Sequence, residues 1–343
     1  MFKSFPIKKT LLKKVAKIFA GILAAIIFVC VVLFFIGRPQ KGIAWGITFS
    51  TIRATELGFN PQQLFEKILT DLRPQKIRLP VYWSELEPQQ GHFDFTTYDA
   101  LLGQADKQNI QIILGLGKKQ PRWPECHQPE WYNGLTTEQQ NEAQLHMVDI
   151  AVAHFKSHTS IAAWQIENEP YFQYGPDCAQ TPSELYEKEL KSVKKLDSRP
   201  TIATDSGEKG AWIGVARSGA NILGATMYRE AYYEKQGKYV TYPLPWWTYN
   251  IKAGAVRLLT GANKVIGVEL QAEPWLKISN PAYTSHDEQV LHMNPKILQD
   301  NIDYATKVGF SENYLWGVEW WYWMQKNHDD DSMVNAAKKL FKQ

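Results

Sequence analysis

Two acidic segments, each following a short apolar run, carry the residue types best suited to chemistry. The first reads Trp-Gln-Ile-Glu-Asn-Glu-Pro over residues 164–170, and the second reads Val-Glu-Leu-Gln-Ala-Glu-Pro-Trp over residues 268–275. The apolar runs are typical of buried strands. Two carboxyl groups that come from separate strand ends, among many aromatic residues, are what hydrolysis of a glycosidic bond requires.

Such hydrolysis passes through a cationic transition state and uses one carboxylic acid and one carboxylate. The acid needs a raised pKa, which burial and a nearby negative charge supply. The carboxylate must keep its charge, so we expect a cation and a hydroxyl donor beside it. Arg78 and Tyr228, each at the end of another apolar run, are the candidates for those two partners.

Strand-like and helix-like segments alternate eight times after residue 42. The predicted strands are 43–50, 76–80, 111–116, 161–167, 200–204, 222–227, 264–270 and 314–320, and amphipathic stretches such as 61–72, 136–154, 183–196, 295–308 and 332–341 lie between and after them. Eight such units in about 300 residues predict an α/β protein with a (β/α)8 barrel, the TIM barrel. A doubly wound open sheet is the alternative, but the first turn lacks its glycine-rich signature.

Chemistry in such a barrel collects at the carboxyl ends of the strands. Trp123, Trp275, Trp320 and Trp321 fall near these ends and are candidates for stacking on sugar rings, with Trp320 or Trp321 beside the reacting sugar. Core packing is the alternative for these tryptophans. The aromatic segment after the sixth strand, around residues 232–249, is interpreted as a long loop that forms one wall of a cleft. A surface flap packed against the barrel, or an interfacial belt lying on a membrane, is the alternative.

These strand-end motifs resemble clan A of the glycoside hydrolases, the retaining "4/7" barrels that include cellulase-like, xylanase-like and β-galactosidase-like families. The resemblance covers residues 43–343, and residues 77–94 look like the second-strand region of these enzymes. It implies that Glu169, which follows Asn168, is the acid/base. It also implies that the nucleophile ends the seventh strand.

Glu269 lies where the enzymes of this clan carry their nucleophile. Arg78 and Tyr228 occupy the places of the arginine and the tyrosine that contact the nucleophile in those enzymes. Glu273 is the alternative nucleophile, because residues 273–275 also mimic a strand-end motif. With Asn168, these residues imply a retaining glycosidase that cleaves β-glycosidic bonds. A non-catalytic carbohydrate-binding or cell-surface interaction protein is the competing interpretation.

The charge of the chain is unevenly distributed. Residues 1–41 hold eight of the 38 basic residues and no acidic residue, which leaves 30 basic and 35 acidic residues for the rest. The basic character therefore belongs to the N-terminal segment, and a nucleic-acid-binding face is not expected. No cofactor and no metal are implied, and the expected substrate is an oligo- or polysaccharide.

Residues 18–37 are apolar or small and uncharged, and six lysines precede them. At ~1.5 Å per residue this segment is about 30 Å long, the thickness of the hydrocarbon layer. The positive-inside rule predicts a cytoplasmic segment at 1–17, a transmembrane signal-anchor at 18–37, a linker at 38–42 and an extracytoplasmic barrel at 43–343. A cleaved signal peptide is the alternative, but the apolar run ends without a small-x-small site.

Cys126 and Cys178 follow the third and fourth predicted strands, which are neighbours in a barrel. Outside the cytoplasm a disulfide between them is permitted, and we predict one. Two unpaired thiols are the alternative. Neither the sugar, nor internal versus terminal cleavage, nor the oligomeric state follows from the sequence.

Overall fold

The structure, a computed structural model, describes residues 9–38, 42–173, 175 and 178–342. Its strands are β1 (Ala44–Thr48), β2 (Lys76–Pro80), β3 (Gln111–Leu116), β4 (Ile161–Ile166), β5 (Thr201–Asp205), β6 (Ile222–Met227), β7 (Glu230–Tyr233), β8 (Lys238–Thr241), β9 (Lys264–Gln271) and β10 (Glu312–Trp316). All except β7 and β8 are parallel and close into one barrel in the order β1-β10-β9-β6-β5-β4-β3-β2. The predicted (β/α)8 barrel is confirmed.

The helices lie before, between and after these strands. They are α1 (Lys9–Gly37), α2 (Thr51–Glu56), α3 (Pro61–Leu72), α4 (Trp83–Leu86), α5 (Thr96–Lys107), α6 (Thr137–Phe155), α7 (Ser183–Leu196), α8 (Ile213–Ala216), α9 (Trp246–Leu259), α10 (His286–His292), α11 (Pro295–Val308), α12 (Val318–His328) and α13 (Ser332–Phe341). Local signals explain where several begin. Asn60 and Asn294 accept backbone N–H bonds at the starts of α3 and α11, each just before a proline.

The barrel strands pack their outer faces against the helices in one large apolar core. A second, smaller core joins side chains from β3, β4, β5, β9 and β10: Ile113, Ala163, Ile202, Ile266, Val268 and Tyr314. Arg78 on β2 is in register with Ile113, so it shares the face that carries this second core. The interior of the barrel is thus filled by side chains and forms a rigid base for the strand ends above it.

The eighth strand is shorter than predicted. It ends at Trp316, and the chain continues after Gly317 as the buried helix α12. Gly317 has φ of 120°, a conformation that favours glycine and turns the chain sharply. A short apolar run does not distinguish a buried strand from a buried helix, so the predicted strand 314–320 extended into α12.

The segment after the sixth barrel strand is more ordered than a loop. β7 and β8 pair as an antiparallel hairpin, with Tyr232 opposite Tyr239. The chain then forms α9, which leads to the start of β9. The aromatic residues predicted to lie in a loop therefore belong largely to regular elements.

The N-terminal helix α1 contains a stretch, Lys13–Gly37, that is long and apolar enough to cross a membrane. Residues 13–29 of it are exposed. The first eight residues of the predicted basic segment and residues 39–41 of the predicted linker lie outside the described residues. The division into cytoplasmic segment, anchor, linker and barrel stays a prediction.

Candidate active site

The turn that follows β4 is strained and carries two of the predicted residues, Asn168 and Glu169. Glu167 and Glu169 have φ of 56° and 45°, in the left-handed region that residues other than glycine seldom adopt. The turn is held by the backbone N–H groups of Lys118 and Lys119, which donate to the Glu167 carboxylate. The N–H of Glu169 donates to the Thr204 hydroxyl at 2.8 Å. Strain held by several neighbours is common at functional sites.

Glu269, near the end of β9, receives a hydrogen bond on each carboxylate oxygen. Arg78 Nη1 donates to Oε1 at 2.6 Å, and the Tyr228 hydroxyl donates to Oε2 at 2.8 Å. Both Glu269 and Arg78 are buried. The two charge-assisted bonds fix the carboxylate and stabilise its negative charge.

The guanidinium of Arg78 makes two further hydrogen bonds. Its Nε donates to Gln165 Oε1 at 2.7 Å, and its Nη2 donates to Asn168 Oδ1 at 2.9 Å. One cation on β2 thereby ties Glu269 on β9 to two residues of the β4 segment. The relative position of Asn168 and Glu269 is set by this cation.

Glu169 differs electrostatically from Glu269. Burial raises the pKa of the Glu169 carboxyl well above its usual value, and the negative charges of Glu269 and Glu125 raise it further. Glu169 is thereby biased towards the protonated form. A protonated carboxyl beside a hydrogen-bonded carboxylate is the pair that acid-assisted displacement uses.

A cleft at the carboxyl ends of the strands joins these groups. Its lining residues are Glu125, Asn168, Glu169, Phe172, Ser206, Glu208, Lys209, Thr226, Tyr228, Tyr242, Glu269 and Trp275. The Trp275 ring packs edge-on against Tyr228, with ring centroids 5.0 Å apart. The structure thus brings together Asn168, Glu169, Tyr228, Glu269 and Trp275, and Arg78 contacts both Asn168 and Glu269.

The other three predicted tryptophans do not line this cleft. Trp123 is 51% exposed in the loop after β3. Trp320 and Trp321 are buried in α12, where their indole N–H groups donate to Gln289 Oε1 and to the Ala272 carbonyl. Both donors are therefore already engaged by the protein.

Glu273 lies in a separate ion-pair cluster. Arg122 donates one N–H group to Glu273 and another, at 2.9 Å, to Glu319, and Arg53 Nη2 lies 3.8 Å from Glu273 Oε2. The Arg122 guanidinium also stacks on the ring of Trp316, with its carbon 4.0 Å from the ring centroid. Glu273 is not among the residues that line the cleft.

Sequence reasoning missed Glu125. Asn168 Nδ2 donates to Glu125 Oε2 at 3.3 Å, and the residue lines the cleft with both predicted glutamates. Burial, with the nearby charge of Glu269, raises the pKa of Glu125 to about 8. Its neighbour Cys126 forms a disulfide with Cys178, as predicted. Because Glu125 lies in an irregular loop, Cys126 was the only local signal.

Glu208 was also missed, although it follows the fifth strand by three residues. It accepts hydrogen bonds from the Tyr228 backbone N–H, the Thr226 hydroxyl and the Tyr249 hydroxyl. Glu208 thereby positions the residue that touches Glu269. Its place just beyond a strand end was the signal that could have identified it. Among the described residues, no group of three or more His, Cys, Asp or Glu side chains is arranged to hold a metal ion.

Fold and site together define a parallel eight-stranded barrel with paired glutamates on the fourth and seventh barrel strands. The β-galactosidase model of glycoside hydrolase family 42 matches residues 77–206, which include Arg78, Asn168 and Glu169. No curated protein matches the chain. The resemblance to clan A of the glycoside hydrolases is confirmed by this match and by the fold of the solved structures below.

Three solved structures share the fold. Xylanase 10B from Thermotoga petrophila RKU-1, in complex with xylobiose, superposes with a TM-score of 0.59 at 15% identity, over 88% of this chain and 94% of the xylanase. The β-galacturonidase from Eisenbergiella tayi bound to galacturonate superposes with a TM-score of 0.53 at 15% identity, over 88% of this chain and 51% of the galacturonidase. The cold-adapted β-galactosidase from Rahnella sp. R3 superposes with a TM-score of 0.54 at 12% identity, over 80% of this chain and 50% of the galactosidase.

The chain therefore spans about half the length of the galacturonidase and of the galactosidase, and nearly all of the xylanase. At these identities the likeness shows the barrel fold alone. Together with the family match, the fold supports a glycosidase.

Proposed function

We propose that this protein is a retaining glycoside hydrolase that cleaves β-glycosidic bonds by double displacement. Glu269 is the nucleophile and Glu169 is the acid/base. The observation that carries the proposal is the difference between the two glutamates: Glu269 accepts bonds from Arg78 and Tyr228, whereas burial and negative neighbours raise the pKa of Glu169. These are the environments that a nucleophile and an acid require.

In the first step a Glu269 oxygen attacks the anomeric carbon while Glu169 donates its proton to the leaving oxygen. The bond to the leaving group breaks, and a covalent glycosyl ester forms on Glu269. In the second step Glu169, now ionised, accepts a proton from water. The water oxygen attacks the same carbon, and Glu269 leaves as a carboxylate. Two inversions give net retention of configuration.

The surrounding residues have distinct roles in the proposal. Arg78 and Tyr228 fix and stabilise the Glu269 carboxylate. Asn168 is fixed by Arg78 beside the acid/base and positions the sugar. Trp275, which lines the cleft, is the proposed stacking surface. The platform role predicted for Trp320 or Trp321 does not enter the proposal, because neither ring lines the cleft.

The proposed location is extracytoplasmic, with α1 as a single-pass anchor in the lipid bilayer and the N-terminus in the cytoplasm. The proposal is supported by the length and composition of Lys13–Gly37 and by the lysines before it. A disulfide between Cys126 and Cys178 suits an oxidising compartment. The substrate is then an oligo- or polysaccharide outside the membrane.

A panel of aryl β-glycosides tests the activity. The panel includes xylosides, galactosides, glucosides and galacturonides, and the anomer first released is followed by NMR. We expect hydrolysis of at least one member with release of the β-anomer, and loss of it in Glu269→Ala. Sugar binding by calorimetry without any hydrolysis would favour the carbohydrate-binding alternative. Release of the α-anomer from an active enzyme would exclude double displacement.

A further inference from the structure

Glu125 is a third carboxyl group in the cleft, and the double displacement proposed above does not use it. It is buried in the loop after β3 and lines the cleft with Glu169 and Glu269. Burying a carboxyl group costs free energy unless neighbouring groups or a ligand offset that cost. Buried carboxyl groups in clefts are common at functional sites, so Glu125 is a candidate for contact with the substrate.

The backbone holds Glu125 in a conformation that residues other than glycine seldom adopt. Its φ is 76°, in the left-handed region. The Glu125 N–H donates to the Arg122 carbonyl at 2.7 Å, and the Glu125 carbonyl accepts from the Gln120 N–H at 2.9 Å. Strain of this kind persists where several neighbours hold it, and it is common at sites that clamp a ligand. The loop therefore presents the Glu125 side chain in a defined direction.

The segment after β4 holds this loop from the other side. The disulfide between Cys126 and Cys178 joins the two. Gly175, with φ of 93°, packs directly on Glu125, since a Cβ atom added to this glycine would lie 3.3 Å from the Glu125 Cβ. The Glu125 carboxyl is therefore fixed before a substrate arrives, which lowers the entropy cost of binding.

Glu125 contacts one residue of the proposed site directly. Asn168 Nδ2 donates to Glu125 Oε2 at 3.3 Å. The orientation of that amide is fixed, because Asn168 Oδ1 accepts from Arg78 Nη2 at 2.9 Å and from the Thr204 hydroxyl at 3.3 Å. Since another N–H group of Arg78 donates to Glu269, Asn168 and Glu125 lie side by side next to the proposed nucleophile.

Two hydrogen-bonding groups of this pair are left over for a ligand. In the part of the chain that the structure describes, Glu125 Oε1 and the second Nδ2 hydrogen of Asn168 have no hydrogen-bond partner. Oε1 accepts a hydrogen bond from a hydroxyl when Glu125 is ionised, and it donates one when the carboxyl is protonated. Neighbouring hydroxyl groups of a sugar ring are spaced at about one hydrogen-bond length, which matches two groups that are themselves hydrogen-bonded.

We propose that Glu125 binds a ring hydroxyl of the sugar unit that Glu269 attacks, and that Asn168 binds the hydroxyl on the neighbouring carbon. This inference rests on the proposed glycosidase function and adds a substrate-binding residue to it. The substrate class is then a β-glycoside whose reacting unit carries two adjacent free ring hydroxyls. A hydroxyl bound to Glu125 also helps to fix the anomeric carbon in front of Glu269.

Deoxy substrates test the proposal, because they remove the hydroxyl while a variant removes its partner. The substrates are the best aryl β-glycoside and its 2-deoxy, 3-deoxy and 4-deoxy analogues, and kcat/KM is measured for wild type and for Glu125→Ala. We expect Glu125→Ala to lower kcat/KM on the parent glycoside about 10- to 100-fold, the worth of a hydrogen bond to a charged group. On the one analogue that lacks the hydroxyl bound by Glu125, the variant should lose far less, because the contact is already absent.

Three further variants make the comparison specific. Glu125→Asp withdraws the carboxyl by one methylene and gives the same comparison if the alanine variant does not fold. Asn168→Ala should weaken the dependence on a different hydroxyl, the one on the neighbouring carbon. Glu130→Ala removes an exposed glutamate that lies in the same connection between β3 and α6 but does not line the cleft, and it should leave every ratio unchanged.

Two results would overturn this inference alone. If each deoxy analogue is impaired by the same factor in wild type and in Glu125→Ala, Glu125 binds none of these hydroxyls. If Glu125→Ala and Asn168→Ala both act on the same single hydroxyl, Glu125 only orients the Asn168 amide. Wild-type protein that hydrolyses no aryl β-glycoside would instead contradict the proposed function, and this inference with it.

Discussion

At the scale of single residues, the site depends on the hydrogen bonds that Glu269 accepts. Tyr228→Phe removes one donor and keeps the ring that packs on Trp275. A hydrogen bond to a charged group is worth about 1.5–3 kcal/mol, so we expect kcat to fall about 10- to 100-fold. Steady-state kinetics on the best aryl glycoside measure it. An unchanged kcat with an unchanged melting temperature would show that Tyr228 does not assist Glu269.

Replacement of Glu125 should change the pH dependence of the activity. Burial is the main cause of the raised pKa of Glu169, and the negative charges of Glu269 and Glu125 add to it. Removing one of those charges in Glu125→Gln makes ionisation of Glu169 easier and lowers its pKa. The alkaline limb of kcat/KM, which reports loss of the protonated acid, should therefore move to lower pH.

Glu208→Gln is the matched control for that experiment. Glu208 also lines the cleft, but it bonds to Tyr228, Thr226 and Tyr249 and is not among the main causes of the Glu169 pKa shift. We expect Glu208→Gln to lower kcat through Tyr228, while the alkaline limb stays in place. A limb that moves equally in both variants, or moves to higher pH in Glu125→Gln, would contradict the electrostatic assignment.

The proximity of the site residues at the strand ends was predictable from the sequence, because the geometry of a barrel brings those ends together. Arg78, Asn168, Glu169, Tyr228 and Glu269 all follow or end apolar runs, and the structure places them in contact or in one cleft. Glu125 was not predictable in this way. Its position depends on the path of an irregular loop and on a disulfide between two cysteines that lie 52 residues apart in the sequence. The hydrophobic periodicity of the sequence predicts neither of these features.

At the scale of elements, the disulfide joins the loop after β3 to the segment after β4. Cys126→Ala with Cys178→Ala should lower the free energy of unfolding by about 2–4 kcal/mol, since a long loop is released in the unfolded chain. Glu125 should also be held less firmly, so KM should rise. Urea unfolding and kinetics measure both, with Cys30→Ser as the control. Full stability in the double variant would contradict a structural role.

The element boundaries show where a sequence pattern is insufficient. The run from Tyr314 to Met324, which is apolar apart from Gly317 and Glu319, contains the end of β10 and the buried first turns of α12. Because α12 is buried on all sides there, its apolar residues show no helical period. Trp320 and Trp321 therefore read as strand-end residues, and only Gly317 marks the change.

At the scale of the whole molecule, several buried carboxyl groups act together on stability. Burial raises the pKa of Glu125 to about 8 and of Glu167 to about 7, and it also raises those of Glu169, Glu189 and Glu208. An unfolded glutamate has a pKa of about 4.3. Between about pH 4.5 and 8 the folded state therefore binds more protons than the unfolded state, so the free energy of unfolding falls as pH rises.

Urea unfolding across that range tests this prediction. Arg199 is the chief cause that lowers the pKa of Asp197 to about 2. Carboxylates paired in this way stay ionised across the range tested, and they reduce the free energy of unfolding only in more acidic solution, where they become protonated. Glu167→Gln should reduce the slope below about pH 7. A free energy of unfolding that rises steadily from pH 5 to 8 would contradict the assignment of these buried groups.

The proposed mechanism gives Glu269 and Glu169 different roles, and azide rescue of the two alanine variants distinguishes those roles. On an aryl β-glycoside with a good leaving group, Glu269→Ala with azide should yield the α-glycosyl azide, because azide replaces the missing nucleophile. Glu169→Ala should still form the glycosyl ester on Glu269, and azide should then yield the β-glycosyl azide. Product configuration is read by NMR, with Glu273→Ala as the matched control. An α-glycosyl azide from Glu273→Ala, and none from Glu269→Ala, would show that Glu269 is not the nucleophile.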